Sequence, residues 1–236
     1  MKRIFAIVSG LFIAVAATLV ATAPAASAAP GCPNVEVVWA RGTVESAPPV
    51  GLTGLAYTEA LRGQVPGKSV VSYGVPYAAG SNFNKRMAFA YDVVKGVRAT
   101  QARVTSLARM CPQTHIVVGG YSQGAVVASY AMTGGIDVPS RYHEYAHMVP
   151  VPLPDDVGRH VAAVVLFAPP SDRWIHDVGA PSIHVAPKYQ SRTVRYCISG
   201  DVVCDGAPVG SPNGLHVLYS VNGNTIDAAR FTAARV

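Results

Sequence analysis

Gly120-Tyr121-Ser122-Gln123-Gly124 sets a serine between two glycines, with the apolar run His115-Ile116-Val117-Val118-Gly119 before it and the helix-forming Ala125-Val126-Val127-Ala128 after it. The pattern is strand, sharp turn, helix. Such a turn leaves no room for a Cβ on either side of the serine and lifts its hydroxyl above the sheet edge. Backbone N–H groups at the start of the helix lack intrahelical acceptors, and those just after Ser122 point to where a tetrahedral oxyanion would form. G-x-S-x-G alone also arises as an ordinary surface turn. The flanking strand and helix are what make Ser122 a candidate nucleophile.

A serine nucleophile needs a base and an acid to orient it, and hydrolases built on this elbow carry the acid and then the histidine later in the chain. His143, His147 and His160 come too early, before or beside the next apolar run, which leaves His176, His184 and His216. Asp172 follows one strand-like run; Asp201 follows the next and sits inside Cys197-x-x-x-Asp201-x-x-Cys204. A loop pinned by a disulfide would fix a carboxylate against an imidazole, which favours Asp201. His216 lies 15 residues further on, in a loop opened by Gly210, Pro212 and Gly214. The preferred set is Ser122, Asp201 and His216, with Asp172 and His184 as the competing pair. Gln123 and Thr43, the latter in Trp39-Ala40-Arg41-Gly42-Thr43 at the end of the first strand, suit the two oxyanion donors.

The elements that must position these groups alternate. β-branched apolar runs at 35–40, 69–75, 115–119, 161–168 and 193–198 read as buried strands. Helices are expected at 52–62, 84–109, 123–132 and 225–234, the second with Met87, Tyr91, Val94, Val97, Val104 and Ala108 on its packed face. This order predicts an α/β three-layer sandwich with a mainly parallel central sheet. Residues 133–160, rich in Pro and Gly and without a clean period, read as a long loop or a lid.

Lys2 and Arg3, the apolar run from Ile4 to Val20 and Ala26-Ser27-Ala28 read as a secretory signal over 1–28, with an uncleaved anchor as the alternative. A single catalytic domain is then expected over 29–236, exported and extracellular or associated with the envelope. Cys32, Cys111, Cys197 and Cys204 all follow the leader, and an even exported set favours two disulfides over metal ligands. Of the three pairings, Cys197 with Cys204 staples a short loop and leaves Cys32 to reach Cys111. Without Lys2 and Arg3 the 19 Lys and Arg fall to 17 against 13 Asp and Glu, a net charge of +4. No run of Lys or Arg marks a nucleic-acid site.

Taken together, these residues resemble the cutinases, and most closely the cutinase-like lipases and esterases secreted by actinobacteria. The likeness spans nearly all of the mature chain. It rests on Cys32, Ala40-Arg41-Gly42-Thr43, Cys111-Pro112-x-Thr114, Gly119 through Ala125, Cys197-x-x-Gly200-Asp201-x-x-Cys204, and His216 ahead of Ala228-Ala229-Arg230-Phe231. The resemblance implies an α/β-hydrolase fold and disulfides Cys32–Cys111 and Cys197–Cys204. It also implies a triad of Ser122, Asp201 and His216, and oxyanion donors Thr43 and Gln123. Two departures bear on substrate: Ala168-Pro169-Pro170 where many relatives have Gly-Asn-Pro or Gly-Asp-Pro, and a longer 133–160 segment than in fungal cutinases.

The expected reaction is hydrolysis of carboxylic esters through an acyl-enzyme, with no metal or organic cofactor. Expected substrates are short- to medium-chain acyl esters, lipids or polyesters. A monomer with interfacial contact to lipid or polyester surfaces is expected. Activity is expected to fall below about pH 6 to 7, where free imidazole protonates. Tyr77, Trp174, Val209 and Leu215 are candidates for the acyl pocket. An acyltransferase, an acetyl-carbohydrate esterase and a non-catalytic binding protein are the alternatives on this scaffold.

Overall fold

Five of the apolar runs form strands: β1 (Val35–Ala40), β2 (Val70–Gly74), β3 (His115–Tyr121), β4 (Val161–Phe167) and β5 (Thr193–Tyr196). In the computed structural model, which describes residues 31–45 and 49–236, they make one sheet of order β2-β1-β3-β4-β5. Every pairing is parallel. The expected leader and the start near Ala29 lie outside the described residues.

Parallel neighbours need a crossover, and helices supply it. These are α1 (Gly51–Gln64), α2 (Arg86–Met110), α3 (Gln123–Ala131), α4 (Asp155–Gly158), α5 (Asp172–Val178), α6 (Pro187–Gln190) and α7 (Asn224–Ala233). The period of two along the strands sorts residues between the two sheet faces. Val35, Val37, Trp39, Val117, Val165 and Phe167 pack with Tyr57 and Leu61 of α1 and Ala228 and Ala229 of α7. Val38, Ile116, Val118, Val164 and Leu166 pack with Val97 and Val104 of α2 and Val127 and Ala128 of α3. The result is a three-layer α/β sandwich.

Three expectations need correction. β2 and β5 are edge strands and only partly buried, so a continuous apolar run marks a strand covered on both faces only for the central β1, β3 and β4. On α2 the buried stripe is Val93, Gly96, Val97, Thr100, Val104, Leu107 and Ala108, while Tyr91 is exposed. Gly96 lies against Val127 of α3, and Thr100 satisfies its hydroxyl on the Gly96 carbonyl. A close helix contact therefore selects small residues that a count of large apolar side chains passes over. Finally, 133–160 is not without structure: it holds a 3-10 turn at Ser140–Met148 as well as α4. It is held to α2 by Arg98 donating to the Met148 carbonyl and Gln101 to that of Val151.

One charge crosses the α2 face. Glu36 of β1 is buried and takes both forks of Arg103, at 2.5 and 2.7 Å. A carboxylate so deeply buried is tolerated because the guanidinium compensates it.

Candidate active site

The sheet order runs outward in two directions from the β1–β3 boundary. At such a reversal the loops after two neighbouring strands diverge and leave a crevice at their carboxyl ends. Ser122 follows β3, and the 41–45 loop follows β1.

Ser122 has φ 54° and ψ −119°, a backbone state that non-glycine residues seldom adopt and that costs on the order of 1–3 kcal/mol. The surroundings enforce it. A Cβ at Gly120 would run into the Gly124 carbonyl, and one at Gly124 into the Ala40 carbonyl, so β1, β3 and α3 close together only with glycine at both places. The Ser122 N–H donates to the Phe167 carbonyl of β4 at 2.9 Å, which fixes the elbow to the neighbouring strand.

From the half-buried Ser122 a line of hydrogen bonds leads inward. Ser122 Oγ is 2.9 Å from His216 Nε2. His216 Nδ1 is 2.9 Å from Asp201 Oδ2 and 3.0 Å from Oδ1. An ionised carboxylate only accepts, so Nδ1 carries the proton and Nε2 is left to accept from the serine hydroxyl. Asp201 is fully buried, and burial pushes its carboxyl up. Hydrogen bonds from His216, Tyr219 and the Val203 N–H outweigh that and hold it below the usual carboxylate range. The cystine Cys197–Cys204 brackets the Asp201 loop, and Cys32–Cys111 ties the entry to β1 to the end of α2.

Two phenols hold the two loops together. Tyr219 is buried; its hydroxyl donates to Asp201 Oδ2 at 2.7 Å and accepts from the Ile198 N–H at 2.9 Å. Tyr121, next to the serine, donates to the His216 carbonyl at 2.6 Å and lays its ring 5.1 Å from the imidazole. Sequence reasoning passed over both. The available signal was position: one adjoins Ser122, and the other stands three residues past His216, on the same side of the 3-10 turn Gly214–Ser220.

Thr43 sits half-buried in the loop after β1, and among the described residues neither its N–H nor its hydroxyl has a protein partner. Gln123 opens α3 with its N–H unclaimed by the helix; its side-chain amide donates to the Gly80 carbonyl at 3.3 Å. Glu45, also unforeseen, braces this loop: its carboxylate accepts from the Gly42 N–H at 2.6 Å and the Leu52 N–H at 3.0 Å. Arg41 and Tyr77 clasp each other, the guanidinium donating to the Tyr77 carbonyl and the phenol to that of Arg41. Tyr77 thus braces this loop.

The remaining expectations scatter. Trp174 is partly buried in α5, Val209 is exposed, and Leu215 lies against Gly200. Asp172 and His184, the competing pair, are both exposed, and neither joins the hydrogen bonds around Ser122. The 41–45 loop, Ala79 and the end of β4 hold the other non-glycine residues at positive φ: Val44, Ala79 and Ala168. Backbone strain of this kind collects where surrounding structure over-determines a site.

Comparison with known proteins gives the family. The sequence model described as Cutinase matches residues 31–236. "Probable carboxylesterase Culp7" of Mycobacterium tuberculosis is 41% identical over 173 residues, 73% of this chain and 88% of that protein. "Phospholipase Culp4" of the same organism is 36% identical, over 100% of this chain and 92% of its own length. Among solved structures, the catalytic core domain of acetyl xylan esterase from Trichoderma reesei superposes with a TM-score of 0.66. At 24% identity, over 87% of this chain and all of that one, it speaks for the fold alone. An α/β-hydrolase sheet, an elbow serine and relatives of this identity lead to one conclusion: the chain belongs to the cutinase family and is a carboxylic ester hydrolase of that type.

Proposed function

We propose that Ser122, His216 and Asp201 hydrolyse the ester through an acyl-enzyme, with the N–H groups of Thr43 and Gln123 receiving the oxyanion. The unbroken hydrogen-bonded line from Ser122 Oγ through the imidazole to the Asp201 carboxylate carries this reading. Ser122 Oγ attacks the ester carbonyl while its proton passes to His216 Nε2. Collapse of the tetrahedral adduct breaks the acyl C–O bond, and the imidazolium returns that proton to the departing alcohol. Water, deprotonated in turn by His216, then releases the acid and restores the serine. Asp201 steadies the imidazolium throughout, and removal of one oxyanion donor should cost roughly 10²- to 10³-fold in rate.

The substrate is a short- to medium-chain acyl ester presented by a lipid or polyester surface, met by the enzyme as an exported monomer whose catalytic domain spans 29–236 behind a leader at 1–28. Supporting this, the residues beside Thr43 and His216 expose apolar side chains to solvent: Val44, Val217 and Leu218. The test is a fluorophosphonate probe together with an acyl series from acetyl to palmitoyl. Labelling should be lost in Ser122→Ala, and the rate should peak between butyrate and octanoate. A Ser122→Ala enzyme that still turns over, or a peak at acetate alone, would refute the assignment.

A further inference from the structure

The amino ends of the parallel strands face away from Ser122, separated from it by the length of β3, roughly 20 Å at the usual rise per residue. A cleft of about 480 Å³ opens at that end. Its basic lining is Arg159 ahead of β4, Arg192 ahead of β5 and Arg235 behind α7, with the imidazoles of His160 and His115 beside them. No carboxylate contributes. Burial and the nearby Lys68 hold His115 below the usual imidazole range, and the arginines supply permanent positive charge.

Like charges gathered in one place repel, and arginines brought together for structure alone are ordinarily neutralised by Asp or Glu. Here neutral groups hold two of the three. Arg192 donates to the Val161 carbonyl at 2.7 Å and lies 5.7 Å from the Tyr189 ring. Arg235 stacks 3.6 Å over Phe231 and donates to the carbonyls of Phe231, at 2.6 Å, and Ser191, at 3.3 Å. Carbonyls and rings fix the position of a guanidinium without cancelling its charge. With five N–H donors on each, most of their hydrogen-bonding capacity is unspent. Arg159 enters no ion pair among the described residues. The neighbouring hollow, which shares Arg159 and Arg192, does hold Asp155, but that carboxylate is bound to Lys188.

We propose that this cleft binds a phosphoryl group, at a site separate from the ester-hydrolysing serine. Three guanidinium groups from three separate segments suit the several acceptor oxygens of a tetrahedral phosphate, whereas a planar carboxylate is filled by one bidentate fork. The volume leaves room for the group that carries the phosphate. Two sources share this chemistry, an anionic lipid headgroup and a soluble phosphate ester. A headgroup bound here would hold the molecule to an anionic surface by the end opposite Ser122.

The test is calorimetric titration of the intact protein with inorganic phosphate at low ionic strength, alongside co-sedimentation with phosphatidylglycerol vesicles. Arg159→Gln and Arg235→Gln are compared with the parent. Saturable binding to at least one probe is expected, weakened about tenfold by each substitution, with ester hydrolysis per folded molecule close to that of the parent in both and Tm close to it in Arg159→Gln. Vesicle binding without phosphate binding would assign the site to a headgroup; saturable phosphate binding without vesicle binding would assign it to a soluble ester. Binding to neither probe, or binding that both substitutions leave intact, would overturn the proposal. Ser122→Ala should bind like the parent, so failure here and failure of the esterase assignment are separable.

Discussion

Replacing Tyr219 with Phe removes one oxygen and keeps the ring against Phe167 and Tyr121. That oxygen donates to the Asp201 carboxylate at 2.7 Å and accepts from the Ile198 N–H at 2.9 Å, with the Cys204 sulfur a weaker contact at 3.4 Å. A hydrogen bond to a buried charge contributes about 1.5–3 kcal/mol, and leaving a buried N–H unpaired costs about 1–3 kcal/mol. Both act through one atom and one loop, so they add incompletely; a loss of about 3 kcal/mol at pH 7 is expected. For a domain of this length that lowers Tm by roughly 6–12 °C.

The pH dependence separates the two partners. Asp201 titrates below the usual carboxylate range in the folded protein. Its stabilising contribution is therefore complete above the ordinary carboxyl pKa and is lost as pH falls through the lowered folded value. The share that Tyr219 supplies through Asp201 must vanish over the same acidic interval, whereas the Ile198 share persists. The stability gap between parent and Tyr219→Phe should accordingly narrow on going from pH 7 to pH 3. Tyr219 stands behind the carboxylate, away from the substrate, so kcat should drop about tenfold with KM nearly unchanged. Urea melts across that pH range and steady-state hydrolysis of a butyrate ester measure both effects. A gap of equal size at pH 7 and pH 3, or an unaltered kcat, would show that Tyr219 only fills space and does not position Asp201.

Two further outcomes follow from the elbow and the cystines. Gly124→Ala should cost about 2–3 kcal/mol and at least 100-fold in kcat, because the new methyl meets the Ala40 carbonyl and moves the Gln123 N–H from its place; a variant as active as the parent would discount the tight approach of β1 to α3. Cys197→Ala/Cys204→Ala should lose about 2–3 kcal/mol along with much of kcat, while Cys32→Ala/Cys111→Ala should lose about 4–5 kcal/mol and keep the kcat of its folded fraction, since only the short link brackets Asp201. Denaturant melts paired with activity per folded molecule would expose equal kcat losses in the two, which is the contrary result.

Much of the site was legible in the linear order of residues because its chemistry is local. An elbow is a statement about six or seven consecutive residues, and Gly120 and Gly124 are required by the backbone on either side of Ser122. Asp201 could be put forward because two cysteines bracket it, and His216 because few histidines remained after it; the fold brings both into one hydrogen-bonded line with Ser122. The central strands were legible for the same kind of reason: layers covering both faces leave a continuous apolar run in β1, β3 and β4.

What stayed hidden depends on partners distant in sequence. The buried face of α2 includes Gly96 and Thr100 because α3 approaches there, and no periodicity within the helix announces its neighbour. Tyr219 becomes a brace only when the 214–220 turn is folded onto the Asp201 loop, and Glu45 only when α1 and the 41–45 loop meet its carboxylate. The arginine cleft draws on four separate stretches of chain, from residue 112 to residue 235, which the amino ends of the parallel strands bring together. Sequence by itself determined the order of layers, the sharp turn at Ser122 and the short list of residues that could partner it, since covalent neighbours impose these. Tertiary structure alone decided which polar groups share a buried carboxylate and which charges are left uncompensated, since both depend on distances that the folded sheet creates.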